Sequence, residues 1–449
     1  MKHERWRAAL ILSAGALAGT VATPAGAQTP LPLGPQALAN SVTAGHQDQT
    51  AAAMDANGDY VVVWRDEFLD GSGTAIVGRR FSSTTGLPLS AQFVINSTTL
   101  GDQSHPAIAM NGNGRFVVTW ESPDTDEPAT TRIFASLRAA NGSPILAEFP
   151  VNTNLAGTQQ LPTAAMQADG RFLISWQDDS TGSTGKDIFG RLYPATFPTD
   201  PPGTQVRLNT AVLGGDQEAP AAVANLASGG WFVAWQGPTL PPVAAAVWLR
   251  VFDSAGSGQP EAPLNLTFDA SPRSHVALSA NALGEGIAVW QDPFVNSIFA
   301  RRIVAGFPTG PEEQANISPD HLNREPAVAL DQFGNYVTVW VEAIGALDDD
   351  DVPEGSPIVI QGRKRNSGGG FSELFPPPTD ALFPVNSDGA DFADPVIVGR
   401  PHGSFVAVWQ GSDPEDTSGF GISLRRFLDA VFSDDFETAN TARWSATVP

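Results

Sequence analysis

Apolar residues in this chain fall in short runs separated by Gly, Asn, Asp and Pro, not in the long stripes a helix requires. The stretch Asn96 to Trp120, NSTTLGDQSHPAIAMNGNGRFVVTW, shows the pattern: a polar connection, an apolar segment, a turn rich in Asn and Gly, and the β-forming run Phe116-Val-Val-Thr-Trp120. Apolar runs of roughly four to eight residues bounded by such turns read as strands, and a glycine-bearing turn between two of them reads as a hairpin. Versions of this stretch recur. Seven copies align on Trp64, Trp120, Trp176, Trp235, Trp290, Trp340 and Trp409, with spacings of 56, 56, 59, 55, 50 and 69 residues. A period of that length points to stacked supersecondary units.

In the first unit a short strand beginning near Gln36 ends at Asn40, and a second strand is expected around Ala51 to Met54. A turn at Asp55 to Asp59 leads into a third strand, Tyr60 to Trp64. After a loop from Asp66 to Thr74, a fourth strand, Ile76 to Phe81, passes through a turn at Gly86 to Phe93-Val-Ile-Asn96, where the cycle restarts. Three positions recur in every unit. An asparagine closes the strand before the long connection: Asn40, Asn96, Asn152, Asn209, Asn265, Asn316 and Asn386. Asparagine stabilises turns through its side-chain amide. A glycine stands six residues before each tryptophan: Gly58, Gly114, Gly170, Gly229, Gly284, Gly334 and Gly403. A hairpin turn with positive φ calls for it there. The tryptophan is third, with an aromatic residue four positions earlier in every unit but the fifth, which has Gly286.

Residues between the aromatic pair are apolar too, as in Val61-Val62-Val63, so both faces of the strand must be covered. Four-stranded antiparallel sheets stacked face to face satisfy this, and seven arranged radially make an all-β, seven-bladed β-propeller. A linear β-solenoid and a row of independent β-sandwiches are the alternatives. One frame leaves the last blade without its outermost strand, which the N-terminal strand around Gln36 to Asn40 would supply, removing the open edge. In the other frame that strand is innermost and no such closure is needed.

These residues carry a resemblance. Segments such as Pro106 to Trp120, with Ile133-Phe134 following, are similar to the repeats of TolB-type propellers and more so to tandem repeats of uncharacterised exported bacterial propeller proteins. The resemblance covers residues 36–428 and implies fold, not activity. The Ser-Pro-Asp-Gly of TolB repeats is replaced here by sequences such as Gln167-Ala-Asp-Gly170, so TolB partner contacts are not carried over.

The N-terminus changes the picture of where the chain works. Lys2, Arg5 and Arg7 precede an apolar run from Ala8 to Ala18 and an Ala25-Gly-Ala27 site, so residues 1–27 read as a secretory signal peptide; a membrane anchor is the other reading of that run. A Pro-rich leader follows at 28–35, and 429–449 is a tail outside the repeats, read as a sorting signal or an added strand. The expected location is therefore periplasmic, cell-surface or extracellular, with no membrane span. With 25 basic and 48 acidic residues the net charge is −23, which disfavours nucleic acid as a partner. The chain has no cysteine, hence no disulfide, thiol nucleophile or cysteine metal site.

Candidate chemistry is sparse. Beyond the signal segment the histidines are His46, His105, His275, His321 and His402; the first four lie on the connections entering the units or where the next strand begins, in different units and different repeat positions, and His402 in the opposite hairpin turn. Acidic loops follow the tryptophans, at Asp66 and Glu67, Asp124 to Glu127, Asp178 and Asp179, Asp348 to Asp351, and Asp413 to Asp416. Such loops are candidate calcium ligands, although only Asp55-Ala-Asn57-Gly-Asp59 approaches a calcium-loop spacing, and it occupies a hairpin turn. Arginines recur on one strand, at Arg79, Arg191, Arg250, Arg301, Arg363 and Arg425, with Ser136 as the exception. Cross-strand ion pairs with the acidic loops are expected of them, an anion-binding ring being the functional alternative. Gln47, Gln103, Gln159 and Gln217 repeat at one connection and are expected to satisfy backbone groups there.

No nucleophile elbow, zinc-protease helix, P-loop or dinucleotide fingerprint occurs, nor do the S-x-D-x-G-x-x-W boxes of sialidase propellers. The sequence therefore assigns no catalytic or cofactor-binding residue, and no motif requires a cofactor. The expectation is an exported, monomeric, non-catalytic binding or scaffold propeller with a protein or carbohydrate ligand. The alternative is a propeller hydrolase or lyase acting on extracellular polysaccharide.

Overall fold

The computed structural model describes residues 30–428 except 68, 125–129, 181–184, 211–214, 240–244, 267–272, 318–320, 344–357, 366, 368–382, 388–389 and 413–418. The expected signal peptide and C-terminal tail lie outside the described residues, as do the acidic runs Asp348 to Asp351 and Asp413 to Asp416. Among the described residues every regular element is a strand, and no helix is long and apolar enough to cross a membrane.

The strands form seven antiparallel sheets. In the first, Gln47–Met54, Tyr60–Glu67, Thr74–Phe81 and Phe93–Val94 pair in chain order. The inner strands of the other six are Ser104–Met110, Gln159–Met166, Glu218–Asn225, Ser274–Ala280, Leu322–Leu330 and Ala390–Gly399. Neighbouring inner strands contact one another all the way round, including Ala390–Gly399 with Gln47–Met54, so the ring is closed around them. The molecule is a seven-bladed β-propeller. The asparagine-capped strand is outermost, which decides between the two frames. In the last blade that outer position is filled from the N-terminus: Ala37 and Leu38 pair with Leu424 and Ser423 of Gly421–Leu428, and Leu31 and Pro32 pair with Leu428 and Phe427.

The recurrent residues meet at the blade interfaces. Each tryptophan is at most 1% exposed and shares a core cluster with an aliphatic residue on the third strand of the preceding blade, as Trp120 does with Ile76, Trp176 with Ile133, and Trp64 with Ile422 across the closure. The asparagine side chain bonds the backbone of that same aliphatic residue. The N–H of Ile76 donates to Asn96 Oδ1 at 2.8 Å, that of Ile133 to Asn152 at 2.9 Å and that of Ile422 to Asn40 at 2.9 Å; Asn209, Asn265, Asn316 and Asn386 accept likewise from Ile188, Val247, Ile298 and Ile360. Each amide thus extends the ladder past the end of the outer strand, which is two residues long in five blades and longer in two, Pro144–Pro150 and Phe307–Gln314. Gln47, Gln103 and Gln159 accept from Asn40, Asn96 and Asn152 and donate to carbonyls of their own connections. The glycines before the tryptophans have φ between 71° and 92°, a region where a Cβ would clash.

The repeated arginines, expected to pair with the acidic loops or to form an anion-binding ring, are instead seen among the described residues to reach backbone carbonyls. Arg79 Nη1 donates to the Ala39 carbonyl at 2.9 Å, and Arg191, Arg250, Arg301, Arg363 and Arg425 reach the carbonyls of Val151, Leu208, Leu264, Ala315 and Val385. Each target is the residue before the recurrent asparagine of the preceding blade. Where Ser136 replaces the arginine, Arg138 reaches the Ile95 carbonyl at 3.2 Å instead. Backbone carbonyls just past the ends of the outer strands attract these guanidiniums, so the arginines fasten blade to blade.

Candidate active site

A cavity of about 590 Å³ opens at the end of the channel where the inner strands begin. Its wall is set by a local irregularity repeated seven times. Each inner strand slips register against its neighbour after one to three pairs, as between Asp48 and Ala51, Ser104 and Ala107 or Arg324 and Ala327. Inside each slip stands one non-glycine residue with φ between 48° and 55°: Gln49, His105, Leu161, Ala219, His275, Glu325 and Asp394. All seven line the cavity. These are β-bulges, and a bulge re-aims a side chain that would otherwise follow the pleat. Proline follows five of the seven, at a place where a backbone N–H would have no ladder partner.

Positive φ disfavours residues with a Cβ, so this geometry must be held in place. A hydrogen bond from the bulge N–H to the preceding blade does so. The N–H groups of Gln49, Leu161, Ala219 and Glu325 donate to the side-chain oxygens of Gln410, Glu121, Gln177 and Gln291, at 2.8, 2.7, 3.1 and 3.4 Å. Each acceptor directly follows a tryptophan. In two blades that position holds a residue without an acceptor, Arg65 or Val341. There the previous bulge residue substitutes: His105 N–H donates to Gln49 Oε1 and Asp394 N–H to Glu325 Oε2, both at 2.7 Å. Arg65 meanwhile binds both carboxylate oxygens of Asp48, at 2.7 and 2.5 Å. Gln236 holds the corresponding position for His275, and its buried Oε1 meets no donor among the described residues.

Charge is unevenly distributed around this ring. Glu325, Asp394, Gln49 and His105 form a polar arc across four consecutive blades, whereas Leu161 and Ala219, with Pro162 and Pro220, form an apolar wall. Burial, reinforced by the nearby carboxylates of Glu325 and Asp48, pushes the Asp394 carboxyl up to about 6; His105 and Arg324 pull it the other way. His105 presents Nδ1 to Glu121 Oε1 at 3.0 Å, and that glutamate is 3% exposed. The arrangement places a carboxyl that keeps its proton into mildly acidic solution beside a second carboxylate and an imidazole.

His105 and His275 occupy the same repeat position, fifteen residues before their tryptophans, which corrects the expectation that the histidines differ in position. The others do not join them. His46 lies with its ring tilted 5.4 Å from that of Phe420 and accepts the Phe420 N–H, His321 pairs with Glu342 at 2.5 Å, and His402 meets Gln332 at the opposite end of the channel. Glu325 and Asp394, in the same slot, went unnoticed in the sequence because the slot has no fixed residue type. The signal was present as a distance before the tryptophan, fifteen residues in six units and sixteen for Ala219 before Trp235, often followed by proline.

Among the described residues no group of three or more His, Asp or Glu side chains is placed to hold a metal ion. Asp55 to Asp59 is a hairpin turn in which Asp55 Oδ1 accepts the Asp59 N–H at 3.0 Å. Asp66 and Asp178 are buried and accept from the indole N–H groups of Trp64 and Trp176. Burial pushes the Asp66 carboxyl up to about 6.

No protein-family model matches the sequence, and no curated relative does. Solved structures do match. The polysaccharide lyase Uly1 is 10% identical with a TM-score of 0.50, covering 90% of this chain and 100% of its own. An α-L-arabinanase of Penicillium chrysogenum, solved with arabinobiose, is 12% identical with a TM-score of 0.47, covering 76% of this chain and 99% of its own. A Dyadobacter fermentans protein of unknown function is 12% identical with a TM-score of 0.46, covering 72% and 94%. At these identities the likeness is one of fold. The expectation of a non-catalytic scaffold is corrected at the channel mouth: the sequence offered no catalytic set, but the fold, which the polysaccharide lyase Uly1 shares, brings Glu325, Asp394, His105 and His275 onto one cavity.

Proposed function

We propose that the protein is a propeller enzyme that cleaves polysaccharide by acid–base chemistry at the channel mouth. The observation that carries this reading is the convergence of Asp394, Glu325, His105 and His275, from four blades, on one cavity of about 590 Å³. Cavities of roughly 300–1,000 Å³ suit ligands of a few rings, and titratable groups displaced from their ordinary ranges gather where proton transfer is needed. Asp394 is the proton donor: a carboxyl held up to about 6 is still partly protonated where a glycosidic oxygen must be protonated as its bond breaks. Glu325 and His105 stand beside it as groups able to accept a proton. Glu325 has a second duty, since its Oε2 holds the Asp394 backbone and so fixes where the acid points.

Two further points belong to the same proposal. The signal-like segment at 1–27 supports a place of action outside the cytoplasm, where polysaccharide is met. The acid–base step uses the chain's own groups and calls for no cofactor.

The test is turnover by the purified full chain. Extracellular polysaccharides should be cleaved, and Asp394→Asn should reduce kcat by about 100-fold or more, as loss of a general acid does. If turnover is absent across neutral and anionic polymers, or Asp394→Asn leaves kcat unchanged, the proposal fails.

A further inference from the structure

Resting on the reading of this mouth as a glycan-cleaving site, we infer that its substrate is an uncharged glycan cut by hydrolysis, not a uronate-bearing chain cut by β-elimination. Among the described residues the cavity wall contains two carboxyl groups, Glu325 and Asp394, and neither a lysine nor an arginine. Cations close behind the wall already face carboxylates. Arg65 grips both oxygens of Asp48, the Arg324 Nε lies 3.6 Å from Glu325 Oε1, Lys186 Nζ lies 2.5 Å from Glu218 and Arg273 lies 2.9 Å from Asp292. A uronate carboxylate entering here would meet like charge with no free cation on the wall to offset it.

β-Elimination makes the mismatch sharper. Removing the proton beside a uronate carboxylate drives charge onto that carboxylate, and the reaction needs a cation or strong donors there. This wall would instead oppose the developing charge. Hydrolysis makes the contrary demand, because its transition state is positively charged at the sugar ring and two carboxyl groups suit it. The balanced step is as follows. The bond between the anomeric carbon and the glycosidic oxygen breaks as the Asp394 carboxyl gives its proton to that oxygen. A water oxygen bonds to the anomeric carbon, and the water's proton passes to the Glu325 carboxylate or to His105. Exchange with solvent then restores both groups, with no oxidant, reductant or second substrate.

The rest of the wall fits a neutral sugar. Gln49, Gln236 and Ser274 offer uncharged donors and acceptors. Opposite the acidic arc, Leu161, Pro162, Ala219 and Pro220 form an apolar surface against which the C–H face of a sugar ring can lie.

The experiment incubates the full chain separately with neutral polymers (arabinan, xylan, galactan and mixed-linkage glucan) and with uronate polymers (polygalacturonate and alginate). It follows reducing ends together with the ultraviolet absorbance of an unsaturated uronate. The expected result is reducing ends from a neutral polymer, no unsaturated product from any, and loss of the activity in Asp394→Asn. Unsaturated product, or faster cleavage of a uronate polymer than of every neutral one, would overturn the inference while leaving the glycan-cleaving reading intact. No turnover of either class would remove that reading, and this inference with it. Binding gives a second arm: in the Ala219→Lys variant, which places a cation on the apolar wall, a trigalacturonate should bind at least tenfold tighter than in the parent protein. Equal or weaker binding would mean that charge at the wall does not decide the substrate class, and would also overturn the inference.

Discussion

Replacing Asp394 by asparagine should make the protein more stable at neutral pH than at acid pH, relative to the parent. Asparagine keeps the shape of the side chain and tolerates the left-handed backbone that residue 394 adopts, with φ of 48°. The change therefore isolates the charge. The folded protein holds the Asp394 proton up to about 6, against an ordinary 3.8. Because the folded value is the higher one, this carboxyl's contribution to stability is full below about pH 3.8, declines as pH rises between the two values, and stays low above about pH 6. At about 1.4 kcal/mol per pH unit the gap corresponds to about 3 kcal/mol, and solvent at the open mouth reduces this to about 2 kcal/mol. Asparagine has nothing to ionise and escapes the decline. Urea unfolding of parent and variant at about pH 4 and about pH 7.5 gives a double difference in which the other titrating groups cancel. The variant's advantage should grow by about 2 kcal/mol between the two. An advantage that does not change with pH would mean that Asp394 titrates as an ordinary carboxyl, and the desolvated cluster of Asp394, Glu325 and Asp48 would be refuted with it.

Three other outcomes test how the scaffold holds this mouth. Arg79→Ala removes a charged hydrogen bond to the Ala39 carbonyl across the ring closure and should destabilise the protein by about 2 kcal/mol in urea unfolding; an unchanged midpoint would show that the arginines do not fasten the blades. Ala219→Gly relieves a left-handed alanine, with φ of 49°, and should be neutral or stabilising by up to about 1 kcal/mol, whereas Ala222→Gly in the same strand should destabilise by about 1 kcal/mol; equal effects at the two sites would contradict the strained ring. Removing residues 30–40 takes away Leu31–Pro32, Ala37–Leu38 and Asn40, and so bares the edge of Gly421–Leu428. That truncation should lower Tm and promote self-association measurable by light scattering; a monomer of unchanged Tm would show that closure does not depend on these strands.

The propeller was legible in the residues because its determinants are local and repeated. A tryptophan that must be covered on both faces, a glycine that a hairpin requires and an asparagine that ends a strand act within single units, and each unit writes them again. The repeat count predicted the blade count, and the missing outer strand of the last unit pointed to the N-terminus. Partner assignments of the polar residues were less legible. The arginines face acidic loops in the linear frame, but they turn to carbonyls of the preceding blade, because only the packed ring shows which backbone groups stay open past the ends of the outer strands.

The candidate site was the least legible part. Its slot holds Gln49, His105, Leu161, Ala219, His275, Glu325 and Asp394, a set without common chemistry. A search for recurring residue types passes over a position that recurs only in conformation. By itself the sequence determined the strands, their number and order, and the residues that pack blade on blade, since these follow from periodic hydrophobicity and turn chemistry along neighbouring stretches. Only the tertiary structure decided that Glu325 and Asp394 meet Gln49 and His105. Closure of the ring brings residues from opposite ends of the chain to one mouth, and seven bulges held by hydrogen bonds between blades turn their side chains into the channel.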